Sequence, residues 1–245
     1  MTIVVTGASG KLGTAIRDAA AERDIETIAC SRSLDGSIEP AELERHLEER
    51  TPAAVIDVSV PERTHEVIDA CVATKTPLVI GTTGFAVEAS ERFDRASEQI
   101  PLLKASNFAR GVHALETLVR EAVGLLESYD IELTETHHNR KRDAPSGTAK
   151  SLLETIEAER ELDDRVFGRE GHQPRSDGNI GVHVRRAGSI HGEHEILLAG
   201  NDEALTITHR AESRRVFAAG ALDSARWLAD RPAGRYAFSE VVAEQ

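Results

Sequence analysis

The segment TIVVTGASGKLGTAI, residues 2–16, decides the fold of this chain. β-Branched residues dominate positions 3–6, which is typical of a short buried strand. Leu12 and Ile16 are spaced as on one face of a helix, and the glycine-rich stretch 7–13 allows a tight turn before that helix. The segment therefore predicts a strand, a glycine turn and a helix in immediate succession.

The same alternation of strand and helix continues as far as residue 107. The stretch 53–60 is apolar almost without interruption, as in a parallel sheet that helices cover on both faces. Strands are predicted at 3–6, 25–30, 53–60, 77–81 and 101–106, and helices from residue 12 and at 40–50, 62–75 and 86–99. This order predicts an α/β fold whose N-terminal part is a Rossmann-type, doubly wound parallel sheet.

The glycine turn predicts a dinucleotide site. Backbone amides and the positive end of a helix that follows the first strand can hold a pyrophosphate group. The glycines are spaced G-x-x-G-x-x-G instead of the usual G-x-G-x-x-G, so the prediction depends on the position of the turn and not on its bare spacing. The alternative is that the glycines only let the chain turn tightly.

The end of the second predicted strand indicates which nicotinamide cofactor is used. A carboxylate there binds the ribose 2′-hydroxyl of NADH and repels the 2′-phosphate of NADPH. The sequence is Cys30-Ser31-Arg32, which offers a guanidinium and no carboxylate. NADPH is therefore the preferred cofactor, with NADH also usable, and Arg32 is the predicted phosphate ligand. The alternative for Arg32 is a solvated surface position.

After residue 107 the pattern changes. Helices are predicted at 111–127 and 147–162, and strands at 129–137, 181–187, 192–199 and 204–210. Apolar and polar residues alternate in these strands, which predicts a second α+β domain built on a mainly antiparallel sheet. The last predicted helix is long enough to return to the first domain. We expect a dinucleotide-binding domain at 1–107 plus 215–245 and a substrate-binding domain at 108–214.

The stretch ETHHNRKRDAPSGTAK, residues 135–150, concentrates bases within an acidic chain. A strand continuing through it would send His137 and His138 to opposite faces, so the strand must end there if both serve one site. A proline-containing helix start follows, and its free amides can hold a carboxylate. Lys141 adds a mobile positive charge. The stretch predicts a pocket for a small dianion and its proton donors.

Two other interpretations of this stretch stay open. One is a solvated basic loop. The other is a metal site, but adjacent histidines rarely chelate one ion and no acid or cysteine completes a known spacing, so we expect no metal. For the later histidines we expect pairing across the sheet or a subunit contact. These are His183, His191, His194 and His209.

The sequence resembles the 4-hydroxy-tetrahydrodipicolinate reductase family, also called dihydrodipicolinate reductases, over nearly its whole length. The most specific part is the dodecapeptide His137-His138-x-x-Lys141-x-Asp143-x-Pro145-Ser146-Gly147-Thr148. The other matching elements are GASGKLG at 7–13, Asp57-x-Ser59-x-Pro61, GTTGF at 81–85, Asn107-Phe108, Ile180-Gly181, Arg186-Ala187-Gly188, Gly192-Glu193-His194, Phe217-Ala218-x-Gly220-Ala221 and Trp227-Leu228.

The resemblance implies a reductase in lysine (diaminopimelate) biosynthesis. Such an enzyme takes the cyclic 4-hydroxy dicarboxylate, eliminates water and delivers hydride from NAD(P)H to give tetrahydrodipicolinate. His137 would be the proton donor and acceptor, and Lys141 the second proton donor. The implied substrate-binding residues are His138, Gly147 and Thr148. The implied cofactor-binding residues are Gly7, Ala8, Ser9, Gly10, Lys11, Leu12, Arg32, Gly81, Thr82, Thr83, Ala105, Ser106, Asn107 and Phe108.

The resemblance also implies a homotetramer assembled through the C-terminal sheet. The sequence departs from the family pattern in three places, one of which, Asn139 and Arg140, leaves the signature positions unchanged. The segment between the second and third strands is shorter than usual, which bears on the adenine end of the cofactor site. Ser31 stands where some relatives carry an acid, which favours NADPH over NADH.

Composition excludes several classes of partner. The chain has 42 acidic and 29 basic residues, a net charge of −13, so it offers no basic footprint for nucleic acid or anionic lipid. No apolar run approaches the roughly 20 residues of a membrane span. With no basic and apolar leader before the first strand, we expect a cytoplasmic location. Of the bases 24 are arginines, which together with the acidic excess suggests a salt-adapted surface.

Three rival functions are weighed against the reductase. A short-chain dehydrogenase needs a lysine four residues after a tyrosine, but Tyr129 and Tyr236 are followed there by Leu133 and Glu240. A semialdehyde dehydrogenase needs a nucleophilic cysteine, whereas the two cysteines are predicted in a strand and a helix. A redox sensor that binds NADPH without catalysis needs no pair of proton donors.

Overall fold

The computed structural model describes residues 1–86 and 89–244, which form two compact units. One unit comprises Met1–Phe108 and the chain from Arg214 onward, and the other comprises Ala109–Ser213. The elements are, in chain order, β1 (Thr2–Thr6), α1 (Lys11–Ala21), β2 (Glu26–Cys30), a 3-10 helix (Pro40–Glu42), α2 (Leu43–Arg50), β3 (Ala54–Asp57), α3 (Pro61–Thr74), β4 (Leu78–Ile80), α4 (Ala89–Ser97), β5 (Pro101–Lys104), α5 (Arg110–Leu125), β6 (Asp130–His137), α6 (Gly147–Glu159), β7 (Asp164–Phe167), β8 (Asn179–Arg186), β9 (Glu193–Gly200), β10 (Glu203–Arg210), α7 (Arg215–Leu228), β11 (Gly234–Tyr236) and α8 (Phe238–Ala243).

The first unit is built on a six-stranded sheet in the order β11-β5-β4-β3-β1-β2, in which every neighbouring pair is parallel. Alternate residues of a strand enter different cores, as the period of two requires. Ile3 and Val5 pack with residues of α1 and α7, whereas Val4 packs with residues of α2 and α3. The predicted doubly wound parallel sheet is therefore confirmed.

The second unit is built on a five-stranded sheet in the order β10-β9-β6-β8-β7. Helices α5 and α6 cover the face that carries Ile131 and Leu133, while Glu132 and Thr134 on the opposite face are partly exposed. β9 pairs antiparallel with both β10 and β6, but β6 with β8 and β8 with β7 are parallel. The sheet is thus mixed instead of mainly antiparallel, because helix α6 lies between β6 and the next strands and acts as a crossover connection.

Three short elements fall outside the predicted pattern: β7, β11 and α8. The predicted helix at 86–99 corresponds to α4, and its residues 87 and 88 lie outside the described residues. The predicted last helix corresponds to α7 and belongs to the first unit. Among the helices that the structure describes, none combines the length and the apolar character that crossing a bilayer requires.

Candidate active site

A cavity of about 550 Å³ lies at the carboxyl ends of β1, β2 and β3 in the first unit. In open parallel sheets this edge is where ligands bind. The cavity brings together four of the predicted cofactor residues, Gly7, Ser9, Gly10 and Arg32.

The glycine turn at this edge fits a dinucleotide. Gly7 has a φ of +69°, and a Cβ built there would lie 2.5 Å from the carbonyl oxygen of Val58. No side chain larger than hydrogen fits this position. Gly10 precedes α1 without a capping side chain, so the first-turn amides of that helix stay available to a phosphate.

Three serine hydroxyls connect the glycine turn to the end of β2. Ser31 Oγ donates to Ser9 Oγ at 2.9 Å, and Ser33 Oγ donates to the same atom at 3.1 Å. Arg32 is exposed between the two serines of the second strand end. Hydroxyls and a guanidinium in one place are suited to a phosphate, as the prediction for Arg32 requires.

Sequence reasoning missed two charged residues of this cavity. Arg63 and Glu66, both from the first turns of α3, line it and form an ion pair with an N–O distance of 2.5 Å. The sequence ERTH after Pro61 was interpreted only as helix. Arg63 is a basic residue close to a strand end where ligand binding is predicted, so the sequence could have indicated it as a second candidate for cofactor binding.

The remaining predicted cofactor residues divide into buried and exposed positions. Lys11, Thr83 and Ser106 are exposed, and Leu12, Gly81 and Asn107 are partly buried. Ala8, Thr82, Ala105 and Phe108 are at most 9 % exposed. Buried side chains of this kind leave only their backbone atoms for a cofactor. Thr82 in particular donates its hydroxyl inward, to Asp57 at 2.8 Å.

In the second unit, strand β6 ends at His137, as a shared site for the two histidines requires. His137 is only 8 % exposed. Its Nδ1 lies 3.6 Å from a carboxylate oxygen of Glu135, which is fully buried. The ring of His194 from β9 packs edge-on against His137, with the centroids 5.2 Å apart. The strand end thus carries a buried acid and two buried imidazoles in contact.

Strand pairing explains why these groups meet. Glu135 stands opposite His194 in the β6–β9 register, and His137 stands opposite Arg186 in the β6–β8 register. Arg186 binds Glu135 at 2.7 Å and the Asp143 carbonyl at 2.6 Å. Arg186 therefore connects the acid to the loop that carries the basic residues of the stretch 135–150.

Ser146 links the same acid to helix α6. Its backbone N–H donates to Glu135 at 3.1 Å, and its hydroxyl accepts from the N–H of Ala149 at 3.1 Å, which caps the helix. Its hydroxyl is also 3.1 Å from Nε2 of His194. The predicted substrate residues Gly147 and Thr148 are the first two residues of α6. The helix itself therefore offers their backbone N–H groups no carbonyl acceptor.

Burial and neighbouring charges set the protonation of this cluster. Burial, aided by Lys141 and Arg186 and opposed by Glu135, lowers the pKa of His137 to about 4. Burial and the neighbouring His137 lower the pKa of His194 to about 3. Burial by itself raises the pKa of Glu135, but hydrogen bonds from Ser146 and Arg186 outweigh it and hold that pKa below its usual value. The cluster at neutral pH is a carboxylate beside two neutral imidazoles.

The other predicted residues of the stretch 135–150 lie beyond the strand end. Lys141 is partly buried and forms an ion pair with Asp143 at 2.9 Å. Its backbone N–H donates to the carbonyl of His138 at 3.1 Å, which turns the chain directly after the strand. His138 is partly buried and Thr148 is 7 % exposed. The ammonium of Lys141 is thus held by one carboxylate that a dianion could replace.

Glu135, His137 and His194 also have potential metal-ligand atoms within 4.8 Å of one another. Arg186 binds the other carboxylate oxygen of Glu135, so the charge of that acid is already paired with a guanidinium. The expectation of no metal therefore stays a prediction. From the sequence we expected His194 to pair across the sheet or to form a subunit contact, and we gave Glu135, Ser146 and Arg186 no catalytic role. All of these residues except Glu135 lie in the matched motifs.

Comparison with known proteins matches both parts of the chain to one family. Residues 1–108 match the model "Dihydrodipicolinate reductase, N-terminus", and residues 111–242 match "Dihydrodipicolinate reductase, C-terminus". The chain is 54% identical over 246 residues to a 4-hydroxy-tetrahydrodipicolinate reductase of Natronomonas pharaonis, covering 99% of this chain and 100% of the relative. It is 49% identical over 245 residues to that of Haloarcula marismortui, covering 98% of each.

Solved structures with a similar fold are more distant in sequence. A dipicolinate-bound dihydrodipicolinate reductase from Paenisporosarcina sp. TG-14 superposes with a TM-score of 0.78 at 22% identity, covering 97% of both chains. A probable dehydrogenase from Thermotoga maritima superposes with a TM-score of 0.62 at 12% identity, covering 99% of this chain and 93% of the other. These similarities support the fold. The two family models, which together match residues 1–108 and 111–242, and the two relatives at 49% and 54% identity show that the chain belongs to the dihydrodipicolinate reductase family.

Proposed function

We propose that the protein reduces 4-hydroxy-tetrahydrodipicolinate to tetrahydrodipicolinate with loss of water, using NADPH in preference to NADH. The observation that carries the proposal is the buried cluster of Glu135, His137 and His194 at the start of α6, where the N-cap residue Ser146 donates its backbone N–H to Glu135. Such a cluster suits proton transfer to a ring dicarboxylate. The Paenisporosarcina relative is a dipicolinate-bound structure, which supports a substrate of the dicarboxylate class.

The first unit supplies the cofactor site in this proposal. The amides around Gly7 and Gly10 would hold the pyrophosphate, and Arg32 with its flanking serines would hold the 2′-phosphate. When bound, the reduced nicotinamide supplies a hydride. The segments at 81–83 and 105–108 would contact its nicotinamide end mainly through backbone atoms, because Thr82, Ala105 and Phe108 are buried.

His137 would give the proton that balances the hydride. In the cluster described above its imidazole is neutral, because burial and nearby cations disfavour the charged form. A bound dicarboxylate would add negative charge beside it and raise its pKa, which favours uptake of the proton that is then transferred. Glu135 acts in the same direction, since its carboxylate favours the imidazolium at 3.6 Å.

Lys141 would bind the substrate and serve as second proton donor. Its ammonium lies 2.9 Å from Asp143, so a substrate carboxylate can take over a cation that is already held near the cluster. The amides of Gly147 and Thr148 would hold the other carboxylate at the start of α6. His138 would complete the contacts at the strand end.

The test is a coupled assay on the full chain. The preceding synthase supplies fresh substrate, and NADPH absorbance is followed for wild type and for His137→Gln. We expect wild type to oxidise NADPH, and we expect the variant to lose about 10²- to 10⁴-fold in turnover, the usual contribution of a general acid. A wild type that binds NADPH without oxidising it behaves as a sensor, and this outcome rejects the proposal. A cytoplasmic location and a homotetramer remain predictions alongside it.

A further inference from the structure

Asp57 at the end of β3 is fully buried, and it accepts hydrogen bonds from four hydroxyls. Thr6 and Ser59 donate to Oδ1, each at 2.5 Å, and Thr64 and Thr82 donate to Oδ2 at 2.5 and 2.8 Å. We refer to these five residues as the hydroxyl hub. The motif Asp57-x-Ser59-x-Pro61 marks the hub in the sequence, yet it has no part in the function as proposed so far.

The hub is unusual in its electrostatics. Among the described residues, Asp57 forms no ion pair, and its side-chain bonds come from hydroxyls and the backbone N–H of Ser59 at 3.3 Å. A buried carboxylate is expensive unless its oxygens are fully hydrogen-bonded. Five donors meet that need without a cation, so the donors must stay in place for the carboxylate to stay buried. Asp57 thereby fixes the position of each segment that supplies a donor.

Those segments are the ones that face the predicted cofactor. Thr6 pairs with Asp57 in the β1–β3 register, and Asp57 pairs with Ile80 in the β3–β4 register, so the hub spans the carboxyl ends of three adjacent strands. Thr6 and Ser59 also line the cavity of the first unit. Thr82 belongs to the loop 81–83, for which a cofactor role was predicted.

We propose that Asp57 is a positioning residue for the nicotinamide cofactor: it holds the glycine turn, the segment after β3 and the loop 81–83 in the arrangement that binds the dinucleotide. The inference rests on the proposed cofactor role of this unit. In this proposal the hydroxyl of Thr82 anchors the loop 81–83 to Asp57 and points away from the cofactor. Since the anchored segments contact parts common to NADH and NADPH, releasing a cofactor-facing segment from the hub lowers the affinity for both by the same factor.

Two threonines of the hub provide a matched pair for a test, because both donate to the same oxygen of Asp57. Thr64 lies inside α3, where its backbone N–H bonds to Val60 at 3.0 Å, so the helix keeps that segment in place without the hydroxyl. Thr82 lies in a stretch without regular structure, where its hydroxyl and the bond from Gly81 N–H to the Asp57 carbonyl at 2.8 Å hold the loop. Replacing either threonine by the isosteric valine removes one donor from Oδ2. Only the change at Thr82 releases a cofactor-facing loop.

The experiment measures dissociation constants of NADPH and NADH by fluorescence titration of the full chain, for wild type, Thr82→Val, Thr64→Val and Thr82→Ser, with a thermal melt of each. We expect Thr82→Val to weaken both cofactors by a common factor on the order of tenfold, as loss of one charge-assisted hydrogen bond allows. We expect Thr64→Val to bind both as wild type does, and Thr82→Ser, which keeps the hydroxyl, to restore binding. Should Thr82→Val fail to fold, Ser59→Ala removes another hub donor that lines the cavity and is expected to weaken both cofactors alike.

Equal losses for Thr82→Val and Thr64→Val would overturn the inference, because the hub would then act only through stability. Unchanged affinity in Thr82→Val, or in Ser59→Ala where that replaces it, would overturn it as well. So would a loss confined to NADPH, which would place the affected contact at the 2′-phosphate. A wild type that binds neither cofactor would instead reject the proposed function, so the two failures are distinguishable.

Discussion

The two sites are built from different kinds of side chain. The cavity of the first unit combines apolar side chains with serine hydroxyls, two arginines and one glutamate, its lining among the described residues includes no histidine, and the buried acid Asp57 is surrounded by hydroxyls. In the second unit the buried acid Glu135 is paired with Arg186 and touches His137. Hydroxyls do not titrate near neutral pH, whereas histidine does. We infer that binding of the cofactor and movement of protons are assigned to separate parts of the chain.

The comparison also shows two ways of keeping a carboxylate buried. Asp57 depends on five hydrogen-bond donors, which fix geometry and leave the negative charge without a cation in the described residues. Glu135 has a cation at 2.7 Å and two imidazoles nearby, so its charge is coupled to protonation. The first arrangement is suited to a fixed binding surface, and the second to a site whose charge changes during a reaction.

The largest effect is expected from removing the charge of Glu135. In Glu135→Gln the fully buried acid loses its charge and the partly buried guanidinium of Arg186 loses its carboxylate partner, and breaking such a pair costs up to about 3–5 kcal/mol of the free energy of unfolding. Urea denaturation measures this loss. The control is Glu132→Gln, a more exposed acid on the opposite face of the same strand that also pairs with arginines. If the two variants lost equal stability, burial would not distinguish the two acids.

Replacing Arg32 tests the ionic part of the cofactor site. Arg32→Ala should weaken NADPH by about tenfold to a hundredfold, because a charge-assisted contact to the 2′-phosphate is lost, and should leave NADH unchanged. Fluorescence titration with both cofactors provides the measurement. Arg95→Ala, an exposed arginine of α4, serves as the control. An unchanged NADPH affinity in Arg32→Ala would make Arg32 a surface residue.

The buried histidines make stability depend on pH. Their pKa is 6.5 in the unfolded reference and falls to about 4 for His137 and about 3 for His194 in the folded chain. Between these values the unfolded chain binds more protons, so the free energy of unfolding falls as pH drops below 6.5. Each histidine contributes at most about 1.4 kcal/mol per pH unit.

Urea denaturation at several pH values measures this slope in wild type and in His194→Gln, which should show a shallower fall. NADH affinity should stay constant over the upper part of the same range, since NADH lacks the 2′-phosphate that titrates at about pH 6. A stability independent of pH from 6.5 to 5 would mean that the histidines are not buried in solution. A change in NADH affinity that follows the change in stability would contradict the assignment of cofactor binding and proton transfer to different residues.

Salt is expected to have the smallest effect. The chain carries a net charge of −13, and molar salt shortens the screening length to about 3 Å, which reduces repulsion among the acidic residues. We expect the melting temperature to rise with potassium chloride and to rise less with sucrose at equal osmolality. A melting temperature that does not rise with potassium chloride, or that rises equally with potassium chloride and sucrose, would contradict the hypothesis of a salt-adapted surface.

Local patterns in the sequence predicted strands β1 to β5 of the parallel sheet well, because each of them is largely apolar and is followed by a helix. The end of β6 at His137 was also predictable, since the turn-rich stretch that follows cannot continue a strand. The parallel pairing of β6 with β8 was not, because it depends on the crossover through α6 and not on the pattern of either strand. The short β7 and β11 carry too few apolar residues to be detected.

The site was predicted less completely than the fold. His137 and Lys141 belong to one continuous motif, so the sequence shows them together. His194 and Arg186 reach Glu135 only through the register of β9 and β8 with β6, which no local pattern reveals. The inward turn of Thr82 likewise depends on Asp57, a residue from a different strand. A role predicted from local sequence therefore does not show which residues act by positioning other residues.

The most direct test of the division between binding and proton transfer is made on one preparation of His137→Gln. The NADPH dissociation constant and the single-turnover rate of NADPH oxidation are measured beside wild type and beside His172→Gln, an exposed histidine of the loop before β8. We predict an unchanged dissociation constant together with a rate reduced by at least about 100-fold. A rate equal to wild type, or a loss of NADPH affinity as large as the loss of rate, would contradict the account.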